Sequence, residues 1–312
     1  MIRVQGLTKD YGARRAVSNL SFEARQGEIV GFLGPNGAGK TTTMRILTGY
    51  MPPTEGVAQV AGFDVVEESL EVRRRVGYLP ETVPLYTDMT ALEYLTFMAD
   101  LRQLPEAQGR AATALEMVGM EARANSYIGS LSKGMRQRMG LAQALIHQPE
   151  VLILDEPTIG LDPAQVVEVR KLIREMGKHR TVLLSTHILS EAQQICDRVL
   201  IINKGRIIAE DTPQNLQARL VGAERASLRI RGDGDGLQKV VQKVKGVRRT
   251  QALDDGTLEF EFAPGQDVRP EVARVVVAAG YDLLELRPSG MSLEEIFLEL
   301  TRDDVKSRRK ER

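Results

Sequence analysis

The run Gly34-Pro35-Asn36-Gly37-Ala38-Gly39-Lys40-Thr41 fits the pattern G-x-x-x-x-G-K-[ST] and follows directly on the apolar segment Ile29–Leu33. Strand, glycine-rich loop and helix in that order constrain the fold more than any other feature of the chain, because they commit the segment to an α/β sheet with a phosphate site at a strand end. The glycines let the backbone close around a β-phosphate with successive N–H groups turned inward. The helix beginning near Gly39 directs its positive end at the same place. In this reading Lys40 reaches the β- and γ-phosphates and the Thr41 hydroxyl ligates Mg²⁺. The competing reading, a glycine-rich turn with an incidental lysine, is opposed by the strand before it and the helix after it.

The first two-thirds of the chain alternate short apolar runs with helical patterns, as an α/β sheet protein does. Strands are expected at Ile29–Leu33, Val151–Leu154, 182–185 and 199–202. The alternation stops over about residues 84–130, where Leu92, Leu95, Met98 and Ala99 are spaced for one face of a helix, so this segment reads as a helical insertion. After Leu220 the composition shifts. Residues 227–231 alternate, Leu237, Val240, Val241 and Val244 repeat at helical spacing, and Leu258, Phe260 and Phe262 alternate again. Val272, Val275, Val276 and Ala279 mark a second helix, 283–286 a strand, and Leu293, Ile296, Phe297 and Leu300 a last helix. The order is that of a split βαβ domain of the ferredoxin type.

Val151–Leu154 runs into Asp155 and Glu156. A carboxylate at the end of a parallel strand beside a phosphate loop is placed to hold Mg²⁺, which suits Asp155. Glu156, one residue on, is placed to polarise an attacking water as a general base. Two solvated loop acids are the bland alternative, opposed by the four apolar residues before them. Ser132, near Gly134, opens a helix whose inner face is expected to carry Met135, Met139, Ala142 and Ile146. Such a start is an N-cap and can bind an anion. His187 follows a strand at its C-terminal end, where ligands gather in open α/β sheets. His147 and His179 read as surface residues and Cys196 as a packed small hydrophobe.

Composition narrows the classes. The 312 residues carry 42 basic and 42 acidic side chains, a net charge of zero that argues against a nucleic-acid binder working by charge. The single cysteine excludes an intramolecular disulfide framework and a cysteine-based zinc site, and fits a reducing compartment. No apolar stretch approaches the roughly eighteen residues of a membrane-spanning helix. The first residues are charged and strand-like rather than signal-like, so a cytoplasmic location is expected. Arg73-Arg74-Arg75 reads as a solvated face.

With Tyr11, GPNGAGKTT, LSKGMRQR, VLILDEP, GLDP and STH in this order, the chain resembles the ATP-binding cassette (ABC) family over about residues 1–220. The resemblance implies a P-loop NTPase cassette with a RecA-like mixed sheet and a helical subdomain over about 84–147. To this it adds a small α+β ferredoxin-like domain at 224–302 and a basic tail at 303–312. It implies that Tyr11 stacks on adenine and that Gly34, Asn36, Gly37, Gly39, Lys40, Thr41 and Thr42 hold ATP. Thr41, Glu81 and Asp155 would serve Mg²⁺, Glu156 would activate water, and His187 would contact the γ-phosphate. Ser132 and Gly134 would complete the ATP site of a second copy or a paralogous cassette in head-to-tail pairing, with Asp162 crossing between the two.

Three positions depart from the family pattern. Glu81 stands where Gln is usual, and Lys133 and Met135 stand where Gly and Gln are commonest. GYLPE, LSKGMRQR and the terminal SLEEIFLELT look like the ATPases of ABC-2-type exporters, nearest the gliding-motility-type branch, with the copper-enzyme-maturation branch as a neighbour. The expected function is that of an ATP-hydrolysing subunit at the cytoplasmic face of the membrane. Such a subunit drives a separate permease whose short helix docks on the helical insertion and the Glu81 loop. The alternatives are a non-transport ABC ATPase acting on ribosomes or DNA, opposed by the single cassette and zero net charge, and a kinase or G protein, opposed by the signature and His187.

Overall fold

In the computed structural model, residues 1–220, 224–231, 236–253, 257–263 and 266–288 are described. The chain begins with strands β1 (Ile2–Tyr11), β2 (Arg14–Ala24) and β3 (Ile29–Leu33), helix α1 (Lys40–Leu47), strands β4 (Glu55–Val60) and β5 (Phe63–Asp64), helix α2 (Ser69–Arg75) and strand β6 (Val76–Leu79). Helices α3 (Ala91–Leu101), α4 (Ala107–Met117) and α5 (Lys133–Leu145) follow. Then come β7 (Val151–Leu154), α6 (Pro163–Gly177), β8 (Thr181–Thr186), α7 (Leu189–Ile195), β9 (Arg198–Asn203), β10 (Arg206–Asp211) and α8 (Pro213–Leu220). The remaining elements are β11 (Glu224–Arg231), α9 (Leu237–Gln242), β12 (Val247–Ala252), β13 (Thr257–Phe262), α10 (Arg269–Ala278) and β14 (Asp282–Pro288). Two units divide the chain, Met1–Pro213 and Gln214–Arg312.

The first unit is built on a six-stranded sheet of order β10-β9-β3-β8-β7-β6, parallel except for the antiparallel edge strand β10. Every residue of β3, β7 and β8 is buried, which is why these strands read as continuous apolar runs rather than alternating ones. A second, antiparallel sheet of order β2-β1-β4-β5 supplies Ile2, Val4, Leu7 and Phe22 to a core shared with Met44, Ile46 and Leu47 of α1 and with Phe32, Ile153 and Leu183. Register then places the site. Leu33 pairs with Thr186 and Leu154 with Leu184, so β3 and β8 end level and β7 ends beside them, with Asp155 and Glu156 continuing past Leu184. The phosphate loop, the acid pair and His187 leave the sheet at one edge.

The insertion is helical, as expected, but its buried face is rotated. Tyr94, Leu95 and Ala99 are buried on α3 while Leu92 and Met98 are only half-buried. Tyr94 is accommodated because its hydroxyl lies 2.8 Å from Gln143 Oε1 and donates to it. A capping box of Thr90 and Glu93 starts the helix. On α5, Met139, Ala142 and Ile146 are buried, but Met135 is half-buried, because the inward positions of the first turns go to Gly134 and Gln137. His147 is not a surface residue. It is half-buried with Nε2 3.0 Å from the Val76 carbonyl, and desolvation, aided by the Arg102 charge, pushes its pKa down to about 4. His179 is exposed, and Cys196 is buried, with desolvation pushing its thiol pKa up. Arg74 and Arg75 pair with Glu71, so the arginine run is partly neutralised.

The second unit has the sheet order β12-β13-β11-β14, antiparallel throughout, which with helices α9 and α10 is the split βαβ arrangement. Leu228, Ile230, Phe260 and Phe262 pack with Leu237, Val241, Val272 and Val276. Strand β12 has no counterpart in the sequence reading, because VRRTQA buries no residue fully and shows no alternation. It is held as an edge by β13. Residues 232–235 and 254–256, the helix expected around Leu293–Leu300 (Leu293, Ile296, Phe297, Leu300) and the basic tail lie outside the described residues. No helix among the described residues is long and apolar enough to cross a membrane.

Candidate active site

The phosphate loop is glycine-rich for steric reasons that can be named. Gly39 sits at φ +108°, and a Cβ there would lie 2.6 Å from the Ala16 carbonyl oxygen; at Gly34 a Cβ would lie 2.4 Å from the Ile202 carbonyl oxygen. Lys40, at the start of α1, is buried and donates to the Gly34 carbonyl at 2.7 Å, with the Pro35 carbonyl at 3.4 Å. The loop borders an open cleft of about 490 Å³. Asn36, Gly37, Gly39, Lys40, Thr41 and Thr42 line it, and so do Tyr11, Glu81 and Glu156. Tyr11 is 45% exposed, its hydroxyl 3.1 Å from Met51 Sδ, so its ring is held at the cleft without being buried.

Lys40, Glu156 and His187, far apart in sequence, meet here. Glu156 Oε1 is 3.3 Å from Lys40 Nζ, and its Oε2 is 2.9 Å from His187 Nδ1, the ring N–H donating. Glu156 itself stands at φ +49°, a left-handed backbone that non-glycine residues adopt at a cost. Asp155 is fully buried. Its Oδ1 accepts from Ser185 Oγ at 2.5 Å, whereas Oδ2 has no hydrogen-bond partner. A buried carboxylate oxygen left in that state carries a desolvation cost that a hard divalent cation relieves. The donor set therefore fits Mg²⁺. Among the described residues no three His, Cys, Asp or Glu side chains cluster as a metal cage, which matches an ion held by one or two protein groups together with phosphate oxygens. Burial and the Asp155 charge push the pKa of nearby Tyr78 up to about 12, so that hydroxyl stays protonated.

Ser132, Gly134 and Asp162 are not among the residues lining the cleft. Ser132 is the exposed N-cap of α5 and accepts from Met135 N–H at 3.3 Å; Asp162 is the N-cap of α6 and accepts from Gln165 N–H at 2.9 Å. Gly134 is buried against the end of the Gln165 side chain, whose Oε1 would lie 2.5 Å from a Cβ at this position. Lys133 extends over Gly160, whose Cβ position its ammonium would overlap, so this departure from the family pattern lies against the loop ahead of Asp162. Glu81 is exposed at the cleft wall.

The sequence reading passed over three participants. Ser185 bridges the two acids, accepting from Glu156 N–H at 2.8 Å. Buried Glu191 accepts from Thr158 Oγ1 at 2.6 Å and lies 3.3 Å from Thr186 Oγ1, tying the loop after the acids to the strand end before His187. Arg14 lines the cleft beside Gly37, while its neighbour Arg15 is paired with Asp10. Ser185 opens the STH motif and Glu191 follows it closely, but their partners are defined only by strand order.

The family model described as "ABC transporter" matches residues 17–159. The bacitracin transport ATP-binding protein BcrA of Bacillus licheniformis is 36% identical over 303 residues, covering 96% of this chain and 97% of that protein. The linearmycin resistance ATP-binding protein LnrL of Bacillus subtilis (strain 168) is 33% identical over 307 residues, covering 96% and 98%. Among solved structures, a dimeric ATP-binding cassette in a post-hydrolysis state, bound to ADP and Pi, aligns with a TM-score of 0.62 at 26% identity. It covers 68% of this chain and 99% of its own.

Proposed function

The chain belongs to the ABC transporter family as one of its ATP-hydrolysing, ATP-binding proteins, and from that premise we propose that it powers an ABC-2-type exporter whose permease is a separate membrane protein. The observation that carries the chemistry is Glu156 held between Lys40 and His187, with the orphaned Asp155 Oδ2 beside it. ATP lies along the cleft, adenine at Tyr11 and phosphates in the loop from Gly34 to Thr42, with Lys40 turning from the Gly34 carbonyl to the β- and γ-phosphates. Thr41 and Asp155, with Glu81 at the cleft wall, hold Mg²⁺, which when bound neutralises charge on the phosphate oxygens. Glu156 orients the attacking water and takes its proton; His187 steadies the Glu156 carboxylate and faces the γ-phosphate.

A second cassette completes the site. Ser132 and Gly134, at an exposed helix start, donate to the γ-phosphate bound by the partner, and Asp162 lies at the junction. ATP thereby favours the closed pair, and hydrolysis removes the bridge. The dimeric, ADP- and Pi-bound cassette of the same fold supports this reading. Full-length relatives named for bacitracin transport and linearmycin resistance support the export assignment. Tyr86, Phe97 and Leu101 are exposed on and beside α3, with the Tyr86 ring packed near Phe97, and offer an apolar seat for a permease helix beyond the Glu81 loop. The protein is then peripheral at the cytoplasmic face of the membrane, held there by its permease. The test is Glu156→Gln in purified protein: ATP binding is retained and turnover collapses. Normal turnover in that variant removes the role given to Glu156. Co-purification of the chain with an ABC-2-type membrane protein from detergent extracts tests the partner.

A further inference from the structure

We infer that Ser185 is a positioning residue for ATP hydrolysis: one buried hydroxyl sets the carboxylate of Asp155 and the backbone of Glu156 together. The inference rests on the roles proposed above for those two acids and assigns where their geometry comes from. Strand β8 lies between β3 and β7, and its Leu184 is paired with Leu154, so Ser185 stands level with Asp155 where the strands end. Ser185 has no exposed surface, and a hydroxyl so buried needs partners. It has two, of opposite kinds. Its single proton goes to Asp155 Oδ1 at 2.5 Å, and its lone pair takes the Glu156 N–H at 2.8 Å.

Two consequences follow from that one oxygen. The bond to Oδ1 locks the rotation of the Asp155 carboxylate, so that Oδ2 alone is left without a partner. The bond from the Glu156 N–H anchors the left-handed turn at φ +49°, from which the side chain reaches both Lys40 and His187. The next residue does a different job, because Thr186 Oγ1 accepts from Ile188 N–H and faces Glu191. An apolar residue at 185 would fill the volume while leaving Asp155 Oδ1 and the Glu156 N–H unpartnered. Residues that orient a metal-holding carboxylate in this way govern both the metal and the rate.

The test uses the full-length protein with Ser185→Ala, Ser185→Thr, Ser185→Cys and Glu156→Gln. Ser185→Ala is expected to lower kcat by roughly 10- to 100-fold while the Kd for ATP in EDTA moves by less than about threefold. A fluorescent ATP analogue, titrated in Mg²⁺ and in EDTA, gives the factor by which Mg²⁺ tightens binding, and that factor is expected to fall about tenfold in Ser185→Ala. Ser185→Thr keeps the hydroxyl and restores most of both quantities, which a packing role alone would not require. Ser185→Cys keeps the volume and weakens both bonds; it stands in if Ser185→Ala does not fold, and must show the same split at smaller size. Parental kcat with a parental Mg²⁺ factor in a folded Ala or Cys variant overturns the inference. So does a folded Thr variant that restores neither quantity. Normal turnover in Glu156→Gln would instead remove the proposed function, whatever Ser185 does.

Discussion

At the ends of β3, β7 and β8, side chains from distant parts of one chain hold one another: Lys40 on Glu156, Glu156 on His187, Asp155 on Ser185. At the starts of α5 and α6, Ser132 and Asp162 each bond only the first turn of their own helix and stand at the surface or partly exposed. The first region is assembled within one chain, at the C-terminal ends of inner strands of the sheet. The second is a pair of helix starts capped by exposed side chains. On the function proposed above, the first region supplies the hydrolytic groups of one chain and the second supplies phosphate contacts to a second copy, and the contrast is the one an enzyme working as a pair requires.

The largest expected effect falls on the first region. Glu156→Gln should slow ATP turnover by roughly two orders of magnitude or more, because a general base is lost while phosphate binding is kept. Steady-state phosphate release together with nucleotide titration checks both halves. Ser132→Arg attacks the second region. In a Glu156→Gln background it should abolish the ATP-dependent dimer peak on size exclusion while one chain still binds nucleotide. If Ser132→Arg dimerises normally, the two regions do not divide the work as described. Asp162→Ala separates capping from pairing. Loss of the cap alone should cost about 1 kcal/mol by thermal or denaturant unfolding, and a weakened ATP-dependent dimer beyond that cost would mark the residue as a junction.

The far end of α5 supplies a pH probe that leaves the site alone. His147 has its folded pKa pushed below the ordinary 6.5 to about 4, so the unfolded chain takes up the proton first. Its contribution is complete above pH 6.5 and is lost as pH falls towards 4, on the order of 2 kcal/mol. His147→Gln, which keeps an N–H for the Val76 carbonyl, should flatten the stability profile in that window and leave turnover at pH 8 unchanged.

Much of the site was legible before any coordinates. Asp155, Glu156 and His187 follow the ends of strands and Lys40 closes the glycine-rich loop after another, and a strand buried on both faces writes its end plainly in sequence. The misreadings share a cause. Met135 fits the helical period of α5, but the first turns of that helix bury Gly134 and Gln137 instead, positions that a count of apolar residues does not mark. His147 was assigned to solvent from its polar neighbours, although its partner Val76 lies on another element. Strand β12 shows no alternation because only β13 pairs with it, as a partly wet edge.

By itself the amino-acid sequence determined the phosphate loop, the acid pair and the family, because each is written in neighbouring residues with a fixed spacing. Only the tertiary structure decided that Ser185 would serve two acids and that Glu191 would join Thr158 to Thr186. It also decided that Lys133 would lie along the loop before Asp162. Those contacts depend on which strands are neighbours and in what register, and a hydrogen bond between distant residues leaves no period in the chain that carries them.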